Sequence, residues 1–454
     1  MSGVLLAFLW AVLPPAAAPA APPPLRSTGF SLERPAQVVA EVRARCPRCD
    51  WGRRGREAAV LRVSLDGAYS QHLVLARGSG SYRLALGGLE AGDHRLELAL
   101  DGGLTCRGAG RVAIEDVRIE PAAPGSPQEE ALRRAPLLYL REDSLPRFTD
   151  VPLLMWYEED RTAAGRRLRY SVIFSNEDGG TPPDRLMATW GRVTDIEYVY
   201  GVELADDGRV LHEEYQGKDH ALPAFAGRHQ GARPLLWVVT RNNMVGESGG
   251  VTYRVAPAPV PFALREVSRE AVMDAHPWTY QVSAHEVRRE GRVRAGAPPG
   301  SKQIPDPRRF VYLEACAEME DAALAFAVGI AQGGRTHWTW SDAGELRWRI
   351  ARSRDNGDNG CFRGAVAVPA GAPVTGLRFR SFPRSLRKGE TALPPGAGRA
   401  VLRRVNRLFR LRPDDTPGPD LVTWSGELAM DAGGAPVELP LPQGSATGGK
   451  ASSF

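Results

Sequence analysis

Gly191-Arg192-Val193-Thr194-Asp195-Ile196-Glu197-Tyr198-Val199-Tyr200-Gly201-Val202-Glu203-Leu204, followed by the turn Asp207-Gly208 and by Val210-Leu211-His212-Glu213-Glu214-Tyr215, is the stretch whose reading decides the fold class. Successive side chains of a strand point to opposite faces. A period of two therefore puts Ile196, Tyr198, Tyr200, Val202 and Leu204 on one face and Asp195, Glu197 and Glu203 on the other. Asp-Gly between two such runs signals a type I′ hairpin. A two-residue turn there pairs Leu204 with Leu211, Glu203 with His212 and Tyr200 with Tyr215, so that the apolar residues meet on one face. Carried to the end of the hairpin, this register sets Lys218 opposite Glu197 and His220 opposite Asp195. Two carboxylates at i and i+2 stand about 7 Å apart at Cα, and with an imidazole facing them they suit a divalent cation, Mg or Ca. The commoner outcome of this spacing is a solvated face with Lys218 and Glu197 as an ordinary cross-strand pair.

The same period recurs on both sides. Residues 59–65, 82–86 and 94–98 alternate and are separated by Asp66-Gly67 and Ala91-Gly92-Asp93, the spacing of an immunoglobulin-like β domain over 27–120. Residues 121–135 carry Pro, Gly and Glu129-Glu130 and read as a linker with one helical turn. Residues 168–174 alternate, and 235–240 form a continuous apolar run like a strand buried on both faces, giving a central β-sandwich over 136–262. A short helix begins near Ser268, and strands follow at 280–287, 310–316, 323–330 and 346–350 in a C-terminal β domain over 263–443. Whether the last two blocks are one unit is open at this level. The tail 444–454 is rich in small residues and is expected to be disordered. The expected fold class is all-β, mainly antiparallel: an N-terminal immunoglobulin-like sandwich followed by one or two larger β-sandwich domains.

The chain has 454 residues, room for about three domains at a prior of roughly 150 each, and 24% of them are charged. Leu5 to Leu13 are apolar and lead into Pro and Ala-Pro-Ala stretches, the pattern of a secretory signal peptide over 1–24, although Met1-Ser2-Gly3 brings no basic residue. No run approaches the ~18 apolar residues of a transmembrane helix. The expected destination is secreted or periplasmic. Five cysteines suit an oxidising compartment. The natural pairing joins Cys46 or Cys49 to Cys106 and Cys316 to Cys361, leaving one thiol over. Cys46-Pro-Arg-Cys49 alone is half a zinc site without the other half. The net charge is +5, carried by arginine with only Lys218, Lys302, Lys388 and Lys450 beside it, and no basic run is interleaved with aromatics. No nucleic-acid partner is expected, and no nucleotide or haem.

Gly191 to Glu197 resembles the GHRHDWE heptapeptide of the secreted necrosis- and ethylene-inducing-peptide-like proteins: Gly191, Asp195 and Glu197 match, and the two histidines and the tryptophan do not. Residues 170–178, ending in Glu177-Asp178, look like the strand that ends in an acidic metal ligand in that family. Residues 135–140 are similar to the opening segment of related β-sandwich proteins with a vacuolar-sorting description. The resemblance spans about 135–250. It implies a β-sandwich with a carboxylate-rich cation site of Asp195, Glu197 and Glu177 or Asp178, joined by His220. It also implies sugar head-group binding rather than bond cleavage, and the missing histidines argue against membrane-damaging activity.

Other segments carry weaker signals. Gly246-Glu247-Ser248-Gly249-Gly250 fits Gly-x-Ser-x-Gly, but a strand-like run follows where a hydrolase elbow needs a helix, so a glycine-rich turn is expected. His276, Trp278 and His285, and again Trp338 and Trp340 around His337, gather aromatic and polar groups that could line a sugar site or pack in a core. Asp355-Asn356-Gly357-Asp358-Asn359-Gly360 lacks an oxygen ligand at the third position of a calcium loop and reads as a tight turn beside Cys361. The leading expectation is a noncatalytic binding protein for a glycan or another surface ligand, with a cation near Asp195 and Glu197. The alternatives are a metal-assisted extracellular hydrolase of a polysaccharide or ester, with Glu214 as base, and a structural envelope protein.

Overall fold

The structure, a computed structural model, describes residues 23–351, 360–387 and 389–439. The expected signal peptide except its last two residues, most of the Asp355–Gly360 turn and the tail 444–454 lie outside the described residues.

The first domain holds β1 Pro24–Leu32, β2 Ala36–Arg45, β3 Val60–Leu65, β4 Ala68–Val74, β5 Ser79–Leu89, β6 Gly92–Leu100 and β7 Ala113–Pro121. They form sheets β1-β6-β3-β4 and β5-β2-β7. Val38, Ala40 and Val42 from one sheet pack on Leu61, Val63, Leu96 and Leu98 from the other. The two sheets make the expected N-terminal β-sandwich. The terminal strands are exchanged relative to constant-type domains, since β1 pairs with β6 and β7 with β2.

The segment expected as a linker is the helix α1 Pro127–Arg134. Ser126 Oγ accepts from Glu129 N, Pro127 opens the first turn, and Ala131 and Leu132 are buried.

The central domain comprises β8 Leu137–Tyr139, α2 Ser144–Arg147, β9 Pro152–Thr162, β10 Gly165–Phe174, α3 Pro183–Trp190, β11 Asp195–Ala205, β12 Val210–Tyr215, β13 His229–Gln230, β14 Arg233–Val238, β15 Val245–Gly246, β16 Arg254–Val255 and β17 Val260–Pro261. Its sheets are β12-β11-β10-β9-β17 and β13-β14-β8-β16, with β15 beside β14. β14 is buried along its whole length, as its apolar run predicts for 235–238, but the strand ends there and Val239 is exposed. Leu236 and Val238 face the sandwich core, while Leu235 and Trp237 enter a small cluster in which Trp237 stacks on Tyr139 at 4.4 Å.

Two helices follow, α4 Ala271–Ala275 and α5 Trp278–Arg289. Residues 280–287, expected as a strand, are therefore helical. Tyr280, Val282 and Ala284 imitate period two, but the helix is buried on two sides. Tyr280 and Val287 enter one cluster, and Trp278 and Val282 pack on another. A helix with two buried faces loses the single apolar stripe that would reveal it.

The C-terminal domain is built of β18 Phe310–Glu320, β19 Ala322–Gln332, β20 Arg335–Trp340, β21 Cys361–Ala367, β22 Val374–Pro383, β23 Arg399–Phe409, β24 Val422–Met430 and β25 Val437–Leu439. These make sheets β21-β18-β23-β24 and β20-β19-β22-β25 over their own core. The expected strand at 346–350 is instead a 3-10 turn, Leu346–Trp348, leaving Ile350 to bridge Leu324. Central and C-terminal sandwiches thus have separate cores. A further cluster of Trp156 and Ile173, the helices' Val272 and Tyr280, and Tyr312 and Phe409 joins them back to back. No helix among the described residues is long and apolar enough to cross a membrane.

Cys316 and Cys361 stand directly opposite on β18 and β21 and are disulfide-bonded as expected. The other pairing differs: Cys46 bonds Cys49, and Cys106 is free. A tight turn, with Cys49 N donating to Cys46 O, brings the two Cα atoms to 5.3 Å, within disulfide reach.

Candidate functional site at the acidic end of the central sandwich

Opposite β10, Tyr170 pairs with Tyr200 but Ser171 pairs with Tyr198, so Val199 is an extra residue in β11. This bulge resets the alternation. Beyond it Tyr200, Val202 and Leu204 face the central core, and before it Ile196 points to the outer cluster with Ile173. Asp195 and Glu197, opposite Phe174 and Val172, therefore point inward between the two sheets. The expectation of one face for Ile196 and Tyr200, and of a solvated face for the carboxylates, is corrected: Asp195 is 2% and Glu197 8% exposed.

At the far end of the hairpin, Glu203 pairs with His212 and Tyr200 with Tyr215 as predicted, while Leu204 pairs with Val210 instead of Leu211. The turn is longer than two residues. Gly208 N and Ala205 N bond across Ala205–Arg209, and Gly208 takes φ +83°. The near end does not continue the ladder. Gly217 N donates to Ala221 O, and Lys218–His220 forms an exposed 3-10 turn with Asp219 and His220 in left-handed conformation. Lys218 does not stand opposite Glu197, and His220 does not face Asp195. Gln216 fills the place, its Nε2 donating to Glu197 Oε2.

From the facing sheet, the loop after β14 brings Asn243. Its Nδ2 donates to Asp195 Oδ2 at 2.9 Å and to Asn176 O at 3.1 Å, while its buried Oδ1 has no hydrogen-bond partner. Glu177, half-buried, accepts from Thr181 N at 2.6 Å and stands in the field of Asp195. Gly180 makes room for it, because a Cβ there would fall 2.1 Å from Glu177 Oε1. Asp178 belongs to another network, accepting from Thr149 Oγ1 at 2.7 Å and facing Arg141 at 3.3 Å. Arg141 also holds buried Asp150.

The charge balance at this end is unfavourable to ionised carboxylates. Burial pushes Glu197 well above the usual carboxylate range, and Asp195 adds to it. Burial also raises Asp195, against the nearby Arg192 guanidinium, and lifts Glu177 to about 7. Asp150 is raised to about 8, burial outweighing Arg141. Such groups call for a proton or a cation. Among the described residues no group of three or more His, Cys, Asp or Glu is arranged to hold a metal ion. The oxygens of this region are the buried Asp195 and Glu197 carboxylates and the unpaired Oδ1 of Asn243, whose Nδ2 faces Asp195, the hard, carboxylate-and-carbonyl type that Ca and Mg accept.

The aromatic candidates lie elsewhere, in two places. His276 and Trp278 border a largely apolar cavity of about 340 Å³ between the first domain and the central one. Arg77 stacks on Trp278 at 4.4 Å, and burial together with Arg77 keeps the His276 imidazole below its usual pKa. His285, further along α5, faces Asp415 at 3.7 Å and Asp50 at 4.0 Å. Trp338 and Trp340 are half-buried on the outer face of the β20-β19-β22-β25 sheet, where Trp338 lies across Gly329 and Gly376. They lie outside the core of the C-terminal sandwich, with the Arg378 guanidinium over the Trp338 ring at 3.9 Å.

Glu214, the base of the hydrolase alternative, accepts from Tyr198 Oη at 2.9 Å on the side of β11 opposite Glu197. Asn243, Gln216 and Arg192 were not foreseen as site residues. Asn242-Asn243 carried a turn signal that fits the left-handed Asn243, φ +53°.

No family model matches the chain. No curated protein matches it either. Among solved structures, "NLPPya in complex with glucosamine" is similar over 31% of this chain and 75% of that one, with TM-score 0.24 and 9% identity. "NLPPya in complex with mannosamine" covers the same shares with TM-score 0.23 and 11% identity. The M60 catalytic domain with the CBM51-1 and CBM51-2 domains from Clostridium perfringens ZmpB covers 78% of this chain and 31% of that one, with TM-score 0.14 and 10% identity. TM-scores this low carry no argument about function.

Proposed function

We propose that this chain is a noncatalytic binding protein for a carbohydrate or another hydroxyl-rich surface ligand, with the acidic end of its central sandwich holding a divalent cation. The observation that carries the reading is the buried, unpaired Asn243 Oδ1 beside Asp195 and Glu197, two carboxylates whose burial disfavours charge without a cationic partner. An ion bound there would satisfy all three, and its remaining positions would take sugar hydroxyls or water. Catalysis is the weaker reading because Glu214 sits across the sheet from Glu197, bonded to Tyr198 Oη.

The test is metal content and melting temperature with and without chelator, in the wild type and in Asp195→Ala/Glu197→Ala. An ion that binds the native state raises stability by mass action. The expected result is a bound divalent ion and a chelator-sensitive melting temperature in the wild type alone. Absence of both effects would overturn the cation, and with it this site.

A further inference from the structure

Between α3 and the C-terminal sandwich lies a cavity of about 530 Å³. Arg185, Arg347, Arg349, Arg384 and Arg387 line it, against the single acid Asp321. Two of the guanidinium groups are neutralised locally: Arg384 by Asp321 and Glu390, and Arg349 by Asp342. Arg185 and Arg347 are not. Arg185 Nε donates to the Arg347 carbonyl at 3.1 Å, and among the described residues neither its guanidinium nor the exposed one of Arg347 has an ion pair. Burial and the like charge of Arg347 both hold Arg185 below its usual pKa, with Glu177 the carboxylate opposing them. A second observation is independent of charge. Thr189, 4% exposed, lines the same cavity, and its Oγ1 has no hydrogen-bond partner. A buried hydroxyl is ordinarily paired, so its orphan state marks a place for a polar ligand.

The cavity opens onto a ladder of cations and rings along the outer face of β22. Arg349 stacks on Phe382 at 3.4 Å, Arg380 lies 6.0 Å from Phe382 and 5.3 Å from Trp340, and Arg378 stacks on Trp338 at 3.9 Å. Arg380 Nε is likewise buried and unpaired. From Arg378 to Phe382 the strand advances about 13 Å. Beside it the outward positions of β19 are Ala323, Ala325, Ala327 and Gly329, small residues buried under these rings and guanidinium side chains.

We infer that the cavity and this ladder bind an acidic oligosaccharide, with a carboxylate or sulfate against Arg185 and Arg347, a hydroxyl at Thr189 Oγ1, and a sugar face on Trp340. Guanidinium groups fix oxyanions bidentately, and indoles stack on the apolar faces of sugars. The acids interleaved with the arginines, Asp321, Asp342, Glu390 and Glu438, favour a ligand of sparse charge and many hydroxyls over a phosphate at every unit.

The test is calorimetric titration of the full chain with oligogalacturonate and with a heparin-derived tetrasaccharide, beside neutral maltotetraose and a thymidylate dodecamer. One or both acidic sugars should bind, more tightly at lower salt, and Arg185→Gln/Arg347→Gln should weaken that binding at least tenfold. Arg347→Gln alone, at an exposed residue, should weaken it with an unchanged melting temperature. Chelator and Asp195→Ala/Glu197→Ala should leave it unaltered, so its outcome is separable from that of the cation site. Equal binding of maltotetraose, full affinity in the double variant, no binding of either acidic sugar, or preference for the dodecamer would each overturn the proposal.

Discussion

Gly191 shows how much one residue can settle. It takes φ +62° after α3, its N–H donates to Met187 O at 2.9 Å, and a Cβ there would meet Arg363 Cγ at 2.9 Å. Left-handed geometry and close approach both ask for glycine. Gly191→Ala should cost about 2 kcal/mol, read as a lower urea midpoint at unchanged slope. The neighbour responsible, Arg363, is fully buried and bound by Asp274, Glu314 and Tyr280. Gly191 is conspicuous in the sequence because its conformational need is local. Arg363 is not, because in a chain whose cations are nearly all arginine a buried one looks like the rest until long-range contacts surround it. The same holds for Asn243 and Gln216: Asp195 and Glu197 could be singled out from their own strand, but their partners arrive from the facing sheet and from a broken ladder.

Among the elements, α5 ties the domains together. Trp51 of the first domain donates to Glu286, and Arg289 bonds Glu286 and donates to Phe148 O at 2.7 Å. Burial raises Glu286 to about 8, against Arg289, with Glu290 adding to the rise. Unfolded, the same carboxyl titrates near the usual ~4.3. Between those values the folded state binds more protons, so this group's contribution to stability falls as pH rises from about 4 to about 8 and then levels. Glu286→Gln keeps an acceptor for Trp51 without that titration. Relative to wild type it should gain stability at pH 8.5 over pH 5, measured as the difference in urea midpoints. The strands of the hairpin were legible because their pattern is local and one-sided. The helix was not, because Tyr280, Val282 and Ala284 satisfy two neighbours at once.

At the scale of the molecule, the all-β class and its blocks follow from alternation and turns, whereas the joints between domains do not. Trp51, Ala58 and Val60 of the first domain belong to the central core, and buried Arg233 donates to Ala135 O at 2.9 Å and to Ala85 O at 3.2 Å. Burial lowers Arg233 to about 9, a cost borne at the joint. Domains sharing a core unfold together. Trp51→Ala, removing a side chain 2% exposed, should cost about 3–5 kcal/mol and shift the main calorimetric transition, not split off a minor one.

The bulge at Val199 has a further consequence, one of parity. Along β11 the inward side belongs to odd positions before Val199 and to even ones after it. Were Val199 paired in the ladder like its neighbours, the alternation would run on unbroken from Tyr200, sending Asp195 and Glu197 outward while Ile196 turned in. The chemistry of the acidic end is thus written in a count as much as in the carboxylates themselves. A search that scores residue identities reads the same letters whether Val199 bulges or pairs, and would pass over the difference.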